Sequence, residues 1–129
     1  MKIHKFLIFI FLGNFSLAFA SCFEHLCTDD TVRDIYGWKG SVVEFQPLNR
    51  TANVWLHHNG YIFTFPIDEL GKQVSCAESF CQGDRVKNPY GDTLIIEEVY
   101  THQMLYTYNL NTDGYALYTF DELETVQTP

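Results

Sequence analysis

Apolar positions in this chain fall into short runs broken by Gly, Pro, Asn and Asp, and after the first twenty residues none keeps a helical spacing for long. Thr31-Val32-Arg33 predicts a short strand, and Tyr36-Gly37-Trp38-Lys39-Gly40 reads as turn material. Ser41 to Gln46 is β-branched and aromatic, with Val43 and Phe45 expected on one face. Pro47 to Arg50 breaks that run, and Ala52 to His57 alternates again through Val54 and Leu56. Asn59-Gly60 is a hairpin signal, because a type I′ turn needs positive φ at both central residues. Tyr61, Phe63 and Phe65 then share a face, and Pro66 to Leu70 predicts a tight turn or a 3₁₀ piece. Arg85 to Lys87, Thr93 to Tyr100, Leu105 to Leu110, the Asp113-Gly114 turn and Tyr115 to Phe120 repeat the series. The expected class is all-β.

The second series is related to the first by a shift of 54 residues. Cys22, Glu24, Cys27, Asp30, Val32, Tyr36-Gly37, Glu44, Leu56 and Gly60-Tyr61 meet the same residue types at Cys76, Glu78, Cys81, Asp84, Val86, Tyr90-Gly91, Glu98, Leu110 and Gly114-Tyr115. That makes 11 identities between positions 22 and 61 without a gap. After a one-residue slip, Asp68-Glu69-Leu70 meets Asp121-Glu122-Leu123. The expected organisation is a leader over 1–20, one unit over 21–74, and a second over 75–129 that includes a short C-terminal tail.

The leader has a basic start, an apolar run from Phe6 to Leu12 and an Ala18-Phe19-Ala20 cleavage pattern, the signature of a secretory signal peptide. The run is too short to anchor the chain, since roughly 20 apolar residues are needed to span a bilayer. The expected product is therefore secreted or periplasmic, and soluble after cleavage. A lipoprotein acylated at Cys22 is the competing reading. It is the weaker one, because Phe19 stands where a lipobox usually has Leu.

Cys81-Gln82-Gly83-Asp84-Arg85-Val86, followed by a Tyr-Gly turn and a Val/Ile-rich strand, resembles the opening of KOW and other SH3-like barrels. Asp29-Asp30-Thr31-Val32 with Gly37, Gly40 and Val42-Val43 is similar in the first unit. The chain as a whole resembles exported bacterial proteins with tandem, Cys-containing SH3-like repeats. That resemblance implies two tandem small SH3-like barrels and no single function, because such barrels bind RNA, peptides or cell-wall polymers.

Charge narrows those partners. The chain has 8 Lys+Arg against 16 Asp+Glu, and without Lys2 and Lys5 the remainder is 6 − 16 = −10. So acidic a surface opposes nucleic acid, which needs a basic footprint. Each unit has its own Cys-x4-Cys pair, so local disulfides Cys22–Cys27 and Cys76–Cys81 are expected rather than a zinc site, which favours Cys-x2-Cys spacing. No metal or cofactor is expected.

His57-His58, read as strand neighbours, should point to opposite faces and so not share a ligand. Asp29, Asp30 and Asp34 lack calcium-loop spacing and read as a solvated acidic edge. Glu44 and Glu98, one per unit, are expected too far apart for shared acid–base work. No catalytic signature is present, so the chain is read as not an enzyme.

After the leader, 6 Phe, 8 Tyr and 2 Trp remain, enough both to fill small cores and to supply a binding shelf. The candidate binding residues are Trp38, Tyr36, Tyr90 and Tyr100, with Trp38 first because it lies in a loop between Gly37 and Gly40. The expected function is a non-catalytic module that recognises a cell-envelope polymer, peptide or protein surface. A small secreted hydrolase or enzyme inhibitor is the alternative.

Overall fold

The structure is a computed structural model describing residues 21–126, so the leader expected over residues 1–20 and residues 127–129 lie outside it. The described chain is all-β apart from two 3₁₀ turns. A disulfide-closed hairpin, β1 (Cys22–Phe23) with β2 (Leu26–Cys27), opens the first half. Then come β3 (Thr31–Arg33), β4 (Lys39–Gln46), β5 (Thr51–Leu56), β6 (Ile62–Pro66), a 3₁₀ turn (Ile67–Glu69) and β7 (Gly71–Val74). The second half runs through the hairpin β8 (Cys76–Ala77) and β9 (Phe80–Cys81), then β10 (Arg85–Lys87), β11 (Thr93–Tyr100), β12 (Met104–Asn109), β13 (Tyr115–Thr119), a 3₁₀ turn (Phe120–Glu122) and β14 (Glu124–Thr125). Both disulfides form within their own hairpins, Cys22–Cys27 and Cys76–Cys81.

Within the first half the strand order is β7-β3-β4-β5-β6, and within the second it is β14-β10-β11-β12-β13. Strands β7 and β14 carry no strong apolar alternation, and the sequence did not reveal them. They form because the 3₁₀ turn sends the chain back along β3 or β10, whose second edge would otherwise be unpaired. The halves are not the two separate barrels expected from the sequence, for neither closes on itself and they share one sheet. Val74 and Gln73 of β7 pair with Val99 and Tyr100 of β11, which joins both into one ten-stranded sheet with β6 and β13 at the ends of its main path.

Two cores fill the halves. One holds Leu26, Val32, Val42, Ala52, Val54, Leu56, Ile67 and Leu70, and the other Phe80, Val86, Leu94, Ile96, Val99, Leu105 and Leu123. Val42 rather than Val43 points into the first core, because Val43 is an extra residue between the pairs Val42↔Val54 and Glu44↔Asn53. Glu97 occupies the same kind of bulge in β11. A bulge bends and twists a long strand, and it resets the alternation that simple periodicity assumes.

Left-handed residues recur in pairs: Glu24 and Glu78, Asp29 and Gly83, Gly37 and Gly91 lie 54 apart. Arg50 and Gln103, and Gly60 and Asp113, lie 53 apart. The one-residue slip therefore falls in the β4–β5 connection, where residues 47–50 correspond to residues 101–103, and not after Tyr61. Consequently Gly114 occupies the place of Tyr61, and Asp113 that of Gly60. The hairpin turns are also longer than a two-residue type I′ loop. Leu56 N–H donates to Tyr61 O at 2.8 Å across residues 57–60, with only Gly60 left-handed. Gly40 is a strand residue instead of a turn residue: a Cβ there would run into the Trp55 carbonyl and the Val54 side chain.

Candidate functional site

Trp38 owes its position to a buried aspartate. Asp34 is almost wholly enclosed, and its Oδ1 accepts hydrogen bonds from the backbone N–H groups of Tyr36 (3.0 Å) and Trp38 (2.8 Å). Gly37 turns the loop with φ +99°, and Trp38 O accepts from Asp34 N–H at 3.1 Å. Asn88 builds the same loop in the second half, bonding the N–H groups of Tyr90 and Asp92. Asp34 is thus a loop clamp and no part of a solvated acidic edge. Asp30 has a similar task, accepting from Cys27 N–H at 2.7 Å to hold the disulfide hairpin.

The loop presents Trp38 47% exposed, with its ring stacked on His58 at 4.7 Å between centroids. That stack divides two depressions. One, about 420 Å³, is lined by Arg33, Gly37, Trp38, Lys39, His57 and His58. The other, about 260 Å³, is lined by Trp38, Leu56, Asn59, Phe63, Thr64 and Phe65. The two histidines reach the same depression because β5 ends at Leu56, so strand alternation does not govern them. His57 Nε2 lies 2.8 Å from Ser41 Oγ.

Behind the cationic depression lies the junction of the two halves. Arg33 donates to Glu98 Oε1 through Nε (3.1 Å) and Nη2 (2.9 Å), and to Gly37 O through Nη1 (2.7 Å). Its guanidinium also sits 3.9 Å from the centroid of the Tyr106 ring. Lys39 Nζ bonds the other Glu98 oxygen, and the Tyr100 hydroxyl donates to Oε1 at 2.6 Å. Burial acts against the Glu98 carboxylate, but the hydrogen bonds from Lys39, Tyr100 and Arg33 outweigh it and hold its pKa below the usual value. Burial and the bond to Glu98 push the Tyr100 phenol well above its ordinary range. Arg33 and Lys39 line the depression and no Asp or Glu does, in a chain of formal charge −8.

The sequence-derived candidates separate. Tyr36 and Tyr90 stand 78% and 85% exposed at the tips of their own loops and line neither depression. Tyr100 is fully buried, so it cannot serve a surface shelf; its ring fills the junction and its hydroxyl serves Glu98. Only Trp38 of the four borders the depressions. Arg33, Lys39 and Phe63 were not singled out as a site by sequence, and His57 and His58, expected on opposite faces, border the same depression. The asymmetry of the repeat was the available signal, since Lys39 and Trp38 face Thr93 and Asp92 at a shift of 54.

Glu44 and Glu98 do not converge. Glu44 accepts from Asn53 Nδ2 at 2.7 Å on an exposed face, while Glu98 is enclosed at the junction. Among the described residues no three His, Cys, Asp or Glu side chains gather as metal ligands, and no helix is long and apolar enough to cross a membrane. The geometry can stack a ring on Trp38, enclose an apolar group beside Phe63 and attract an anion beside Lys39. Searches for similar proteins gave no match, either to a family model or to a curated protein.

Proposed function

We propose that this chain is an exported, non-catalytic binding module of two fused SH3-like units, and that it holds a cell-envelope polymer, peptide or protein on the Trp38 ridge. One observation carries the reading. A tryptophan half open to solvent, held in place by a buried aspartate, borders both a cationic and an apolar depression and so offers a preset stacking face between them. The order β7-β3-β4-β5-β6, with a 3₁₀ turn before the returning strand, supports the SH3-like reading of each unit. Two local disulfides support an oxidising compartment, in keeping with the signal-peptide pattern.

The test is retention of purified protein on peptidoglycan, chitin and an envelope extract, with Trp38→Ala beside the wild type. The expected result is retention on one matrix that Trp38→Ala loses while its melting temperature moves by less than about 4 °C. A large loss of stability would make Trp38 a structural plug, and the site would fall.

A further inference from the structure

Strand β6 ends the ten-stranded sheet. Two hydrogen bonds at its extremities establish which way its backbone faces: Leu56 N–H donates to Tyr61 O (2.8 Å), and Ile67 N–H to Arg50 O (2.9 Å). With the register Val54↔Phe63 and Ala52↔Phe65 between them, Phe63 and Phe65 turn their main-chain groups inward to β5. The N–H and C=O groups of Ile62 and Thr64 therefore point away from the sheet. Pro66 has the same outward parity, where a missing N–H takes nothing from the ladder.

This edge is apolar on both faces. Ile62 is 56% exposed beside Trp55 on the outer face, and Phe63 is 50% exposed at the rim of the Trp38 depression. From Tyr61 to Pro66 there is no Lys or Arg, and Pro66 is the one device there that blunts pairing. The opposite end of the sheet is better covered, since Leu117 of β13 lies against the Gly37 turn and Tyr115 is stacked on Tyr106.

We propose that β6 takes up an extended peptide as an added strand, with an apolar side chain against Trp38, Leu56 and Phe63, and a carboxylate beside Lys39, His57 and His58. The proposal rests on the binding reading above and narrows it to a peptide. The outward groups of Ile62 and Thr64 are two residues apart, about 7 Å, the repeat of an extended backbone. Charge selects the carboxylate. Residues 21–129 carry −10, so an acidic group is repelled over most of the surface. The depression across the Trp38–His58 stack, at the hairpin end of β6, is lined by Arg33 and Lys39 and by no Asp or Glu. Lys39 has three ammonium donors and one bond to Glu98. The carboxylate is either a chain terminus or an Asp/Glu side chain.

The test selects peptides of eight randomised residues on the purified, disulfide-intact chain, one library with free C-termini and one with amidated C-termini. Enrichment of alternating apolar sequences is expected, either in the free-terminus library or with Asp/Glu in both, which distinguishes the two carboxylate sources. Thr64→Pro removes an outward donor and leaves the backbone β5–β6 ladder in place; it should weaken the selected peptide about tenfold or more, whereas Thr64→Val, which loses only the hydroxyl bond to Asn53, should not. Should Thr64→Pro not fold, methylating alternate backbone nitrogens of the peptide removes the same bonds from the other partner. No enrichment, or equal binding by Thr64→Pro and by the methylated peptide, overturns the proposal. So does a wild-type dimer that Thr64→Pro converts to monomer, since a second copy then occupies the edge. If Thr64→Pro retains an envelope matrix normally and Trp38→Ala does not, strand addition falls and the binding reading stands. If neither variant loses retention, both fall.

Discussion

Replacing Glu98 with alanine should loosen the contact between the two halves. The Glu98 and Arg33 side chains are only 13% and 10% exposed, so removing the carboxylate strands a nearly buried guanidinium. Arg33 would lose both bonds to Oε1, keeping Gly37 O, the Tyr100 oxygen and the Tyr106 ring. Breaking a buried pair from one side usually costs about 3–5 kcal/mol. The remaining partners of Arg33 and the partial exposure of Lys39 place this case near about 3 kcal/mol. For a chain of this size that is a fall of roughly 12 °C in Tm.

Thermal unfolding followed by circular dichroism, at pH 7 and low salt, measures it. The triple variant Arg33→Met/Glu98→Leu/Tyr100→Phe should recover part of the loss, because it removes the stranded guanidinium and the buried hydroxyl and leaves only the Lys39 ammonium, 30% exposed, to be met by water. The Glu98 contribution should also vanish in acid. Its folded pKa lies below the unfolded value, so the stabilisation is present above the unfolded pKa and disappears as pH falls through the folded one. A Glu98→Ala shift below about 2 °C, or a triple variant as unstable as the three single losses together, would refute the idea that this network joins the halves.

Three further outcomes follow from the same geometry. Cys22→Ser/Cys27→Ser should cost about 2 kcal/mol on the chain-entropy argument, read by urea denaturation, and the second disulfide should remain intact in peptide mapping. Gly40→Ala should destabilise by about 2 kcal/mol or more, since its Cβ meets the Trp55 backbone, whereas Gly91→Asn, strained by the left-handed backbone but free of any clash, should cost less, about 1 kcal/mol, in the same assay. His102 is packed with neither ring nitrogen hydrogen-bonded, and burial outweighs nearby Asp34 to lower its pKa below the ordinary imidazole value. The unfolded chain therefore takes up this proton first, so stability should fall from pH 7 to pH 5. His102→Phe should flatten that part of the Tm profile, and an unchanged slope would refute the assignment.

The local elements were legible because local chemistry specifies them. Period-two runs mark β4, β5, β6, β11, β12 and β13, Gly and Asn mark the turns, and the repeated Cys-x4-Cys pairs close their own hairpins. The Trp38 loop could also be singled out, because tryptophan between glycines departs from its counterpart in the second half.

Tertiary structure decided the rest. Strands β7 and β14 exist only by pairing with partners some forty residues away, a constraint that composition does not carry. The bulges at Val43 and Glu97 and the shorter β11–β12 turn changed which residues face inward, and a one-residue shift in a period-two pattern inverts every assignment after it. Tyr100 and Glu98 look like surface candidates until β7 pairs with β11 and brings Arg33 over Tyr106. The cationic depression has the same origin: Arg33 ends β3, Lys39 opens β4 and His57 and His58 follow β5, and only the packing of the two halves sets Arg33 and Lys39 against the single carboxylate of Glu98.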